Sequence, residues 1–345
     1  MKKLNWLNIG FQVAAVILAL LFTTFILLMA GAQPLQAYMY VIKGSFGSTG
    51  NIANVLSAWA PLLLTTSGVL ITFAAGLWNI GIEGQIMVGA IFTTGALRML
   101  QNSSWPTGLI LVVGFLAGMV GGAIWGALVG VLKTFGGVNE IFGGLGLNFV
   151  ATAFALYLII GPWKRPGIAS TSGTLLFPNK LWLPTFPGVE LSPWALVIGI
   201  VVVFLTYFLL RGTHFGLRLK AVGKNPKAAF LIGVPTWQYS MFAFLLCGVF
   251  AGLAGAIQVM SVYHRLIPAI SSGYGFLGLL VAMLINYQAI WAVPITLFFA
   301  ALNIGGVQLP IMLKLDSSFS GVLQGILVLF VLLVEGARRR LFEKR

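Results

Sequence analysis

The stretch GLILVVGFLAGMVGGAIWGALVGVL, residues 108–132, runs for 25 residues without a charged side chain. Wound as an α-helix at 1.5 Å per residue, it reaches ~37 Å, enough to cross a hydrocarbon layer of ~30 Å. A membrane-spanning strand would alternate lipid-facing apolar and inward polar residues, whereas this run is apolar on every side, which predicts a helix. Gly114, Gly118, Gly122, Gly126 and Gly130 stand four apart and fall on one helix face. Small residues in that register let another backbone come close, either a neighbouring helix of the same subunit or a second subunit.

Similar runs recur along the 345 residues, which are 59% apolar and 8% charged. A water-soluble core could not hide that much apolar surface. The chain is therefore expected to be an all-α polytopic membrane protein, one membrane domain over 1–345. It has about ten transmembrane helices, near 11–30, 53–75, 85–100, 108–132, 144–161, 192–210, 239–262, 275–288, 290–309 and 319–335. Residues 275–309 can instead form a long helix with a re-entrant piece. Met1-Lys2-Lys3 ahead of an apolar stretch, with Ala30-Gly31-Ala32 after it, resembles a signal peptide. The stretch exceeds the ~7–15-residue core of such signals and reads as a retained first span.

The net charge of +14 does not mark a nucleic-acid binder, because the basic residues sit in short segments between apolar runs and at the two ends. With the N-terminus in the cytoplasm, 13 of the 20 basic residues fall inside: Lys2, Lys3, Lys133, Arg211, Arg218, Lys220, Lys224, Lys227, Arg338, Arg339, Arg340, Lys344 and Arg345. Lys43, Arg98, Lys164, Arg165, Lys180, Arg265 and Lys314 fall outside. This bias predicts both termini in the cytoplasm. Cys247, the only cysteine, lies in an apolar run, so no disulfide or metal-thiolate framework is available. His214 and His264 form no zinc or nucleophile arrangement. Gly223-Lys224 is followed by Asn225, and Arg218 stands where a phosphate-binding loop needs its first glycine, so the chain lacks that grip on ATP.

Residues 163–191 make the longest outward segment, broken by Pro166, Pro178, Pro184 and Pro187 and carrying Trp163 and Trp182. Its tryptophans read as interfacial anchors, or as part of an ordered loop that meets an extracytoplasmic partner. Asn286, Gln288, Asn303 and Gln308 read as amides that join helices.

Three segments interrupt the apolar pattern with chemistry. In Gly216-Leu217-Arg218-Leu219-Lys220-Ala221-Val222-Gly223-Lys224-Asn225-Pro226-Lys227-Ala228-Ala229, continuing to Gly233, Asn225 can cap a helix, Pro226 suits its first position and Gly233 can end it. That short rod, ~10 Å long, is too short to span. Ala228, Ala229, Leu231 and Ile232 give it a docking surface, or else it rests on lipid headgroups through Lys224 and Lys227. In Gly76-Leu77-Trp78-Asn79-Ile80-Gly81-Ile82-Glu83-Gly84-Gln85, a carboxylate enters an apolar context at a cost of ~2.5–3.5 kcal/mol at mid-bilayer. Glu83 therefore sits near an interface, faces a watery cavity, or is held by backbone N–H groups at the start of the third span, there as a structural cap. Asn139-Glu140, followed by Gly143, Gly144, Gly146 and Asn148, opens the fifth span with a similar pattern. Asn79, Glu83, Glu140 and Asn148 are the candidates for lining or shaping a solute path.

The second of these segments, paired with Gly216-Leu217-Arg218 and Ala221-Val222-Gly223-Lys224-Asn225-Pro226-Lys227-Ala228-Ala229, resembles the permeases of bacterial ATP-binding-cassette importers of the ribose and branched-chain amino-acid type. The nucleoside and simple-sugar branch is the most similar. The resemblance implies a cytoplasmic coupling segment, about 211–238, in which Gly216, Arg218, Gly223, Asn225, Pro226, Ala228 and Ala229 serve docking to a separate ATPase. It also implies a second, related but different permease chain, two ATPase subunits, an extracytoplasmic binding lipoprotein or periplasmic protein, and a bacterial cytoplasmic membrane. No cofactor is expected on this chain; ATP and Mg belong to the ATPase. That branch usually carries His-Glu-Val-Ile before the fifth span, and this chain departs from it with Asn139-Glu140-Ile141-Phe142. The competing reading is a stand-alone secondary transporter with Glu83 or Glu140 as a proton-linked carboxylate.

Overall fold

The computed structural model describes residues 2–167, 171–285 and 288–342, with the side chains of 2–13, 15, 335 and 338–342 left aside. Asn286, Lys344 and Arg345, and the side chains of Lys2, Lys3 and Arg338 to Arg340, thus lie outside the described residues. Regular structure among the described residues is helical: α1 Lys2–Met29, α2 Pro34–Phe46, α3 Thr49–Ala74, α4 Ile82–Leu100, α5 Thr107–Thr134, α6 Glu140–Ile160, α7 Pro193–Gly212, α8 His214–Lys224, α9 Pro226–Leu231, α10 Thr236–Ile257, α11 Tyr274–Leu284, α12 Ala292–Gly306, α13 Gln308–Leu313 and α14 Phe319–Phe342.

Every expected span falls on a helix, yet length and apolarity qualify fewer than ten to cross a bilayer. Six described helices pass: Thr49–Ala74, Thr107–Thr134, Glu140–Ile160, Pro193–Gly212, Thr236–Val262 and Ala289–Leu313. A seventh is the pair Val16–Met29 and Pro34–Phe46, bent by 110°. Gly31, at φ 76°, ends α1 in the left-handed conformation, and Pro34 starts α2 in a new direction. The remainder fall short for physical reasons. α4 carries Glu83 in its first turn and Arg98 in its last, α11 has 11 residues, and the apolar part of α14 described here is Phe319–Val334.

The chain forms two compact units. One joins residues 1–55 to residues 297–345, and the other is 56–296. In the first, α1 lies along α14 with Phe22 and Phe330 5.4 Å apart, and Ser45 Oγ donates to the carbonyls of Val41 and Ala301 at 2.8 and 2.7 Å.

The second unit is built around α4, α5 and α10. The glycine ladder faces α10: a methyl added at Gly122 or Gly126 would run into the backbone oxygens of Gly248 and Phe244, and one at Gly118 would stand 2.9 Å from the Gly252 oxygen. α10 answers with its own glycines, because Gly248 and Gly252 press back on Gly122 and Gly118, and Gly255 abuts Ile86 of α4. Of the two readings of the ladder, this is close packing within the subunit. Lipid tails provide no hydrophobic drive between helices, so such backbone approach is what holds them together. The opposite face of α5, with Val112, Leu116, Val120 and Ile124, is exposed on the outside of the unit.

Residues 174–183 are tied to the end of α10 and the residues after it. Thr174 N donates to Leu266 O, Phe177 N to His264 O and Leu183 N to Met260 O, each at 2.9 Å. Phe177, Leu181 and Leu183 are buried in the main core. Trp163 and Trp182 are internal fasteners more than interfacial anchors. Trp163 lies under the Arg98 guanidinium at 5.5 Å, and Trp182 stacks on His264 at 3.7 Å with the rings 8° from parallel.

Candidate functional site: a turn gripped from both sides

The turn between α3 and α4, residues 75–81, is where the two sequence motifs meet. α3 ends at Ala74, and Gly76, at φ 73°, lets the chain reverse, with Leu77 N bonded back to Thr72 O at 2.9 Å. A Cβ on Gly76 would lie 2.8 Å from the carbonyl oxygen of Gly223, near the end of α8, and one on Gly223 would lie 2.9 Å from Gly76 N. The contact is backbone on backbone, and only glycine permits it on both sides.

Three of the four path candidates, Asn79, Asn148 and Glu140, hold this same turn. Asn79 is fully buried. Its Nδ2 donates to Gln85 Oε1 at 3.1 Å and to Cys247 Sγ at 3.1 Å, and Gln85 Nε2 returns a bond to Asn79 Oδ1 at 3.2 Å. Asn148 reaches over from α6, donating to Ile80 O at 2.9 Å and accepting from Gly84 N at 2.8 Å. Glu140, also of α6, pairs with Lys133 of α5 at 2.6 Å and accepts from the Trp78 backbone. Gly144 packs on Gly81, each too close to the other's backbone for a side chain.

Glu83 turns away from this cluster. Its Oε1 accepts from Phe276 N at 3.0 Å, and the Gly275 N–H and the Ser271 hydroxyl also serve its carboxylate. The donors expected at the start of its own span come instead from the start of α11, whose free N–H groups attract an anion. Ser271 and the α11 amides carry no sequence signal near Glu83, since they lie almost 190 residues away.

The segment 211–238 holds two short helices joined at Asn225. α8 starts on Thr213, whose Oγ1 accepts from Gly216 N at 3.0 Å, a cap the Gly216 motif does not itself reveal. Gly216 is pressed on Leu209 and Leu210, with no room for a Cβ. Arg218 Nη1 reaches Tyr239 OH at 3.5 Å and Lys220 Nζ the Leu210 carbonyl at 2.6 Å. Asn225 Oδ1 accepts from Ala228 N at 3.1 Å, Pro226 opens α9, and Gly233 closes it at φ 83°. Ala229 differs from its expected place on the docking surface: it is buried against Val222 and Val234, which fastens α9 to α8. The surface α9 offers outward is Phe230, Leu231 and Ile232, all at least two-thirds exposed. No cluster of three or more histidine, cysteine or acidic side chains suited to a metal occurs among the described residues.

Residues 51–332 match the family described as branched-chain amino acid transport system / permease component. The chain belongs to this family. It is the permease subunit of an ATP-binding-cassette transporter, a multi-pass membrane protein that serves transport and is not an enzyme. The family implies ATPase and solute-binding partners. The glucose ABC transporter permease protein TsgB13 of Haloferax volcanii is 30% identical over 97% of this chain and 90% of its own length. The guanosine ABC transporter permease protein NupP of Bacillus subtilis is 26% identical over 96% of this chain and 94% of its own. Among solved structures, PsaBC from Streptococcus pneumoniae in complex with Fab is 13% identical with a TM-score of 0.47, over 85% of this chain and 94% of that one.

Proposed function

We propose that this permease imports nucleosides or simple sugars, and that ATPase movement reaches its solute path through the Gly76–Gly223 contact. One observation carries the reading: the end of α8 rests on the α3–α4 turn with no side chain between them. A displacement of α8 and α9 then moves the backbone of the turn directly. Asn79 and Gln85 pass it to the start of α4, Asn148 and Glu140 to α6, and Glu83 to α11. Asn79, Glu83, Glu140 and Asn148 thus shape the path by tying three helices to one turn. Phe230, Leu231 and Ile232 provide the apolar face that enters a groove on the ATPase, with Lys224 and Lys227 at its edge.

In the same reading the chain crosses a bacterial cytoplasmic membrane about ten times with both termini inside. α4, α11 and α14 add to the spans that length and apolarity already mark. The segment 211–238 faces the ATPase, and the loop 163–191 faces an extracytoplasmic binding protein. A related second permease chain completes the pathway. The names of TsgB13 and NupP support a sugar or a nucleoside as the solute class. In cells that carry the whole transporter, loss of the ATPase abolishes accumulation of labelled guanosine and glucose. Accumulation that persists, or that follows a proton gradient with this chain alone in liposomes, contradicts the reading.

A further inference from the structure

α10 does not end as an ordinary helix. Its continuation, Gln258–Val262, is wound as a π turn, a form that occurs mostly as single turns and frequently at functional sites. The loop that follows holds two residues other than glycine in the left-handed region, His264 at φ 52° and Ser272 at φ 51°, with Gly273 next at φ 74°. Such conformations persist only where their surroundings impose them, and they gather at ligand clamps and active sites.

The two features meet through their side chains. Gln258 Nε2 donates to Ile270 O and to Ser272 Oγ, both at 3.1 Å, and Ser272 Oγ lies 3.0 Å from Tyr263 OH. Gln258 is 1% exposed, and its Oε1 has no hydrogen-bond partner among the described residues. A buried amide oxygen left without a donor is costly, so native structures supply one from a water, an ion or a ligand.

The chain of polar groups leads outward from the nitrogen of the same amide. Gln258 is its buried end, Tyr263 and Ser272 are half-buried, and Gly273, Val262 and Phe276 are exposed beside them. The partners of the three side chains are all neutral. The adjacent Ser271 and the α11 amides are already committed to Glu83. An amide oxygen and two hydroxyls flanked by apolar side chains, with no charged side chain bonded to them, suit the hydroxyls and the face of a neutral ring.

The geometry points to a binding station for a neutral, hydroxyl-bearing solute at Gln258, Tyr263 and Ser272, where Gln258 Oε1 accepts a solute hydroxyl. The station rests on the import reading above and lies in the end of α10 and the loop after it.

The assembled transporter in liposomes tests it, with uptake of labelled guanosine measured against 2′,3′-dideoxyguanosine and of labelled glucose against 2-deoxyglucose. A site that hydrogen-bonds a hydroxyl discriminates strongly against the analogue that lacks it, so a preference of at least about tenfold is expected for one pair. Gln258→Leu brings that preference close to one. Tyr263→Phe and Ser272→Ala each lower the preference, and they decide the matter if Gln258→Leu fails to assemble. Preference unchanged in these variants means that a trapped water satisfies Oε1 and overturns the station, as does wild-type uptake without any preference. A wild-type transporter that accumulates neither guanosine nor glucose overturns the import reading, and the station with it.

Discussion

Gly76 and Gly223 touch backbone to backbone. A side-chain carbon on Gly76 would stand 3.1 Å from the Gly223 Cα, and one on Gly223 would stand 2.9 Å from the Ala75 carbonyl carbon. Contacts through long side chains absorb movement by changing rotamer, whereas two packed backbones transmit it. Two short glycine-bearing motifs, far apart in the chain, thus meet at one contact.

Asn225 is expected to matter through the helix it starts. α9 has six residues, too few to hold itself in water, so its cap and its contact through Ala229 carry it. Asn225→Ala removes the acceptor for Ala228 N and costs about 1 kcal/mol of local stability. That is about a fivefold fall in the population of the docked helix, read as solute moved per ATP hydrolysed. Asn225→Asp or Asn225→Ser keeps the acceptor and most of the coupling.

Glu83 distinguishes a fastener from a proton carrier. Glu83→Gln retains an oxygen to accept from Phe276 N, so ATP-driven uptake should stay within about twofold of wild type. Glu83→Leu leaves the α11 amides without an acceptor, at about 1–3 kcal/mol, and lowers the thermal midpoint of the purified transporter. Uptake abolished by Glu83→Gln at unchanged thermal stability would instead favour proton coupling.

The glycines of α5 and α6 make a matched pair of tests. Gly122→Ala drives a methyl into the Gly248 backbone oxygen and should destabilise the bundle by about 1–3 kcal/mol, seen as a lower melting temperature in detergent. At Gly146 nothing lies within 4 Å of a new methyl, so Gly146→Ala should be neutral or stabilise by about 0.5–1 kcal/mol.

His264 gives the attachment of Trp182 a pH dependence. Burial lowers its pKa from the ordinary 6.5, partly offset by the Met260 backbone and the charge of Glu190. A depressed pKa means that the stack on Trp182 is fully stable above pH 6.5 and is lost progressively as pH falls from there through the folded-state value. Trp182 fluorescence and protease sensitivity of residues 163–191 should change over that acid window. His264→Phe keeps an aromatic partner and should flatten the dependence.

Much of this was legible in local signals. Asn225, Pro226 and Gly233 mark α9 because capping, a fixed φ and a left-handed stop each depend on one residue and its nearest neighbours. The ladder in α5 announced close packing because its period matches one helix face. Its partner stripe, Gly248 and Gly252, was open to the same reading, but nothing local says which helix faces which. Glu83 showed that it needed donors without showing that α11 supplies them. Ala229 looked like surface because a six-residue helix has no periodicity to reveal its buried side. Helix length and apolarity mark fewer spans than the ten read from composition, because Glu83 and Arg98 interrupt α4 and α11 is short.

The most direct test of the coupling contact is Gly223→Ala in the reconstituted transporter, with labelled solute uptake and ATP hydrolysis measured on the same liposomes. The added methyl pushes α8 off the α3–α4 turn without touching the caps at Thr213 and Asn225. The account predicts that ATP hydrolysis persists within about threefold while uptake falls at least about tenfold. Uptake per ATP equal to that of wild type would contradict it.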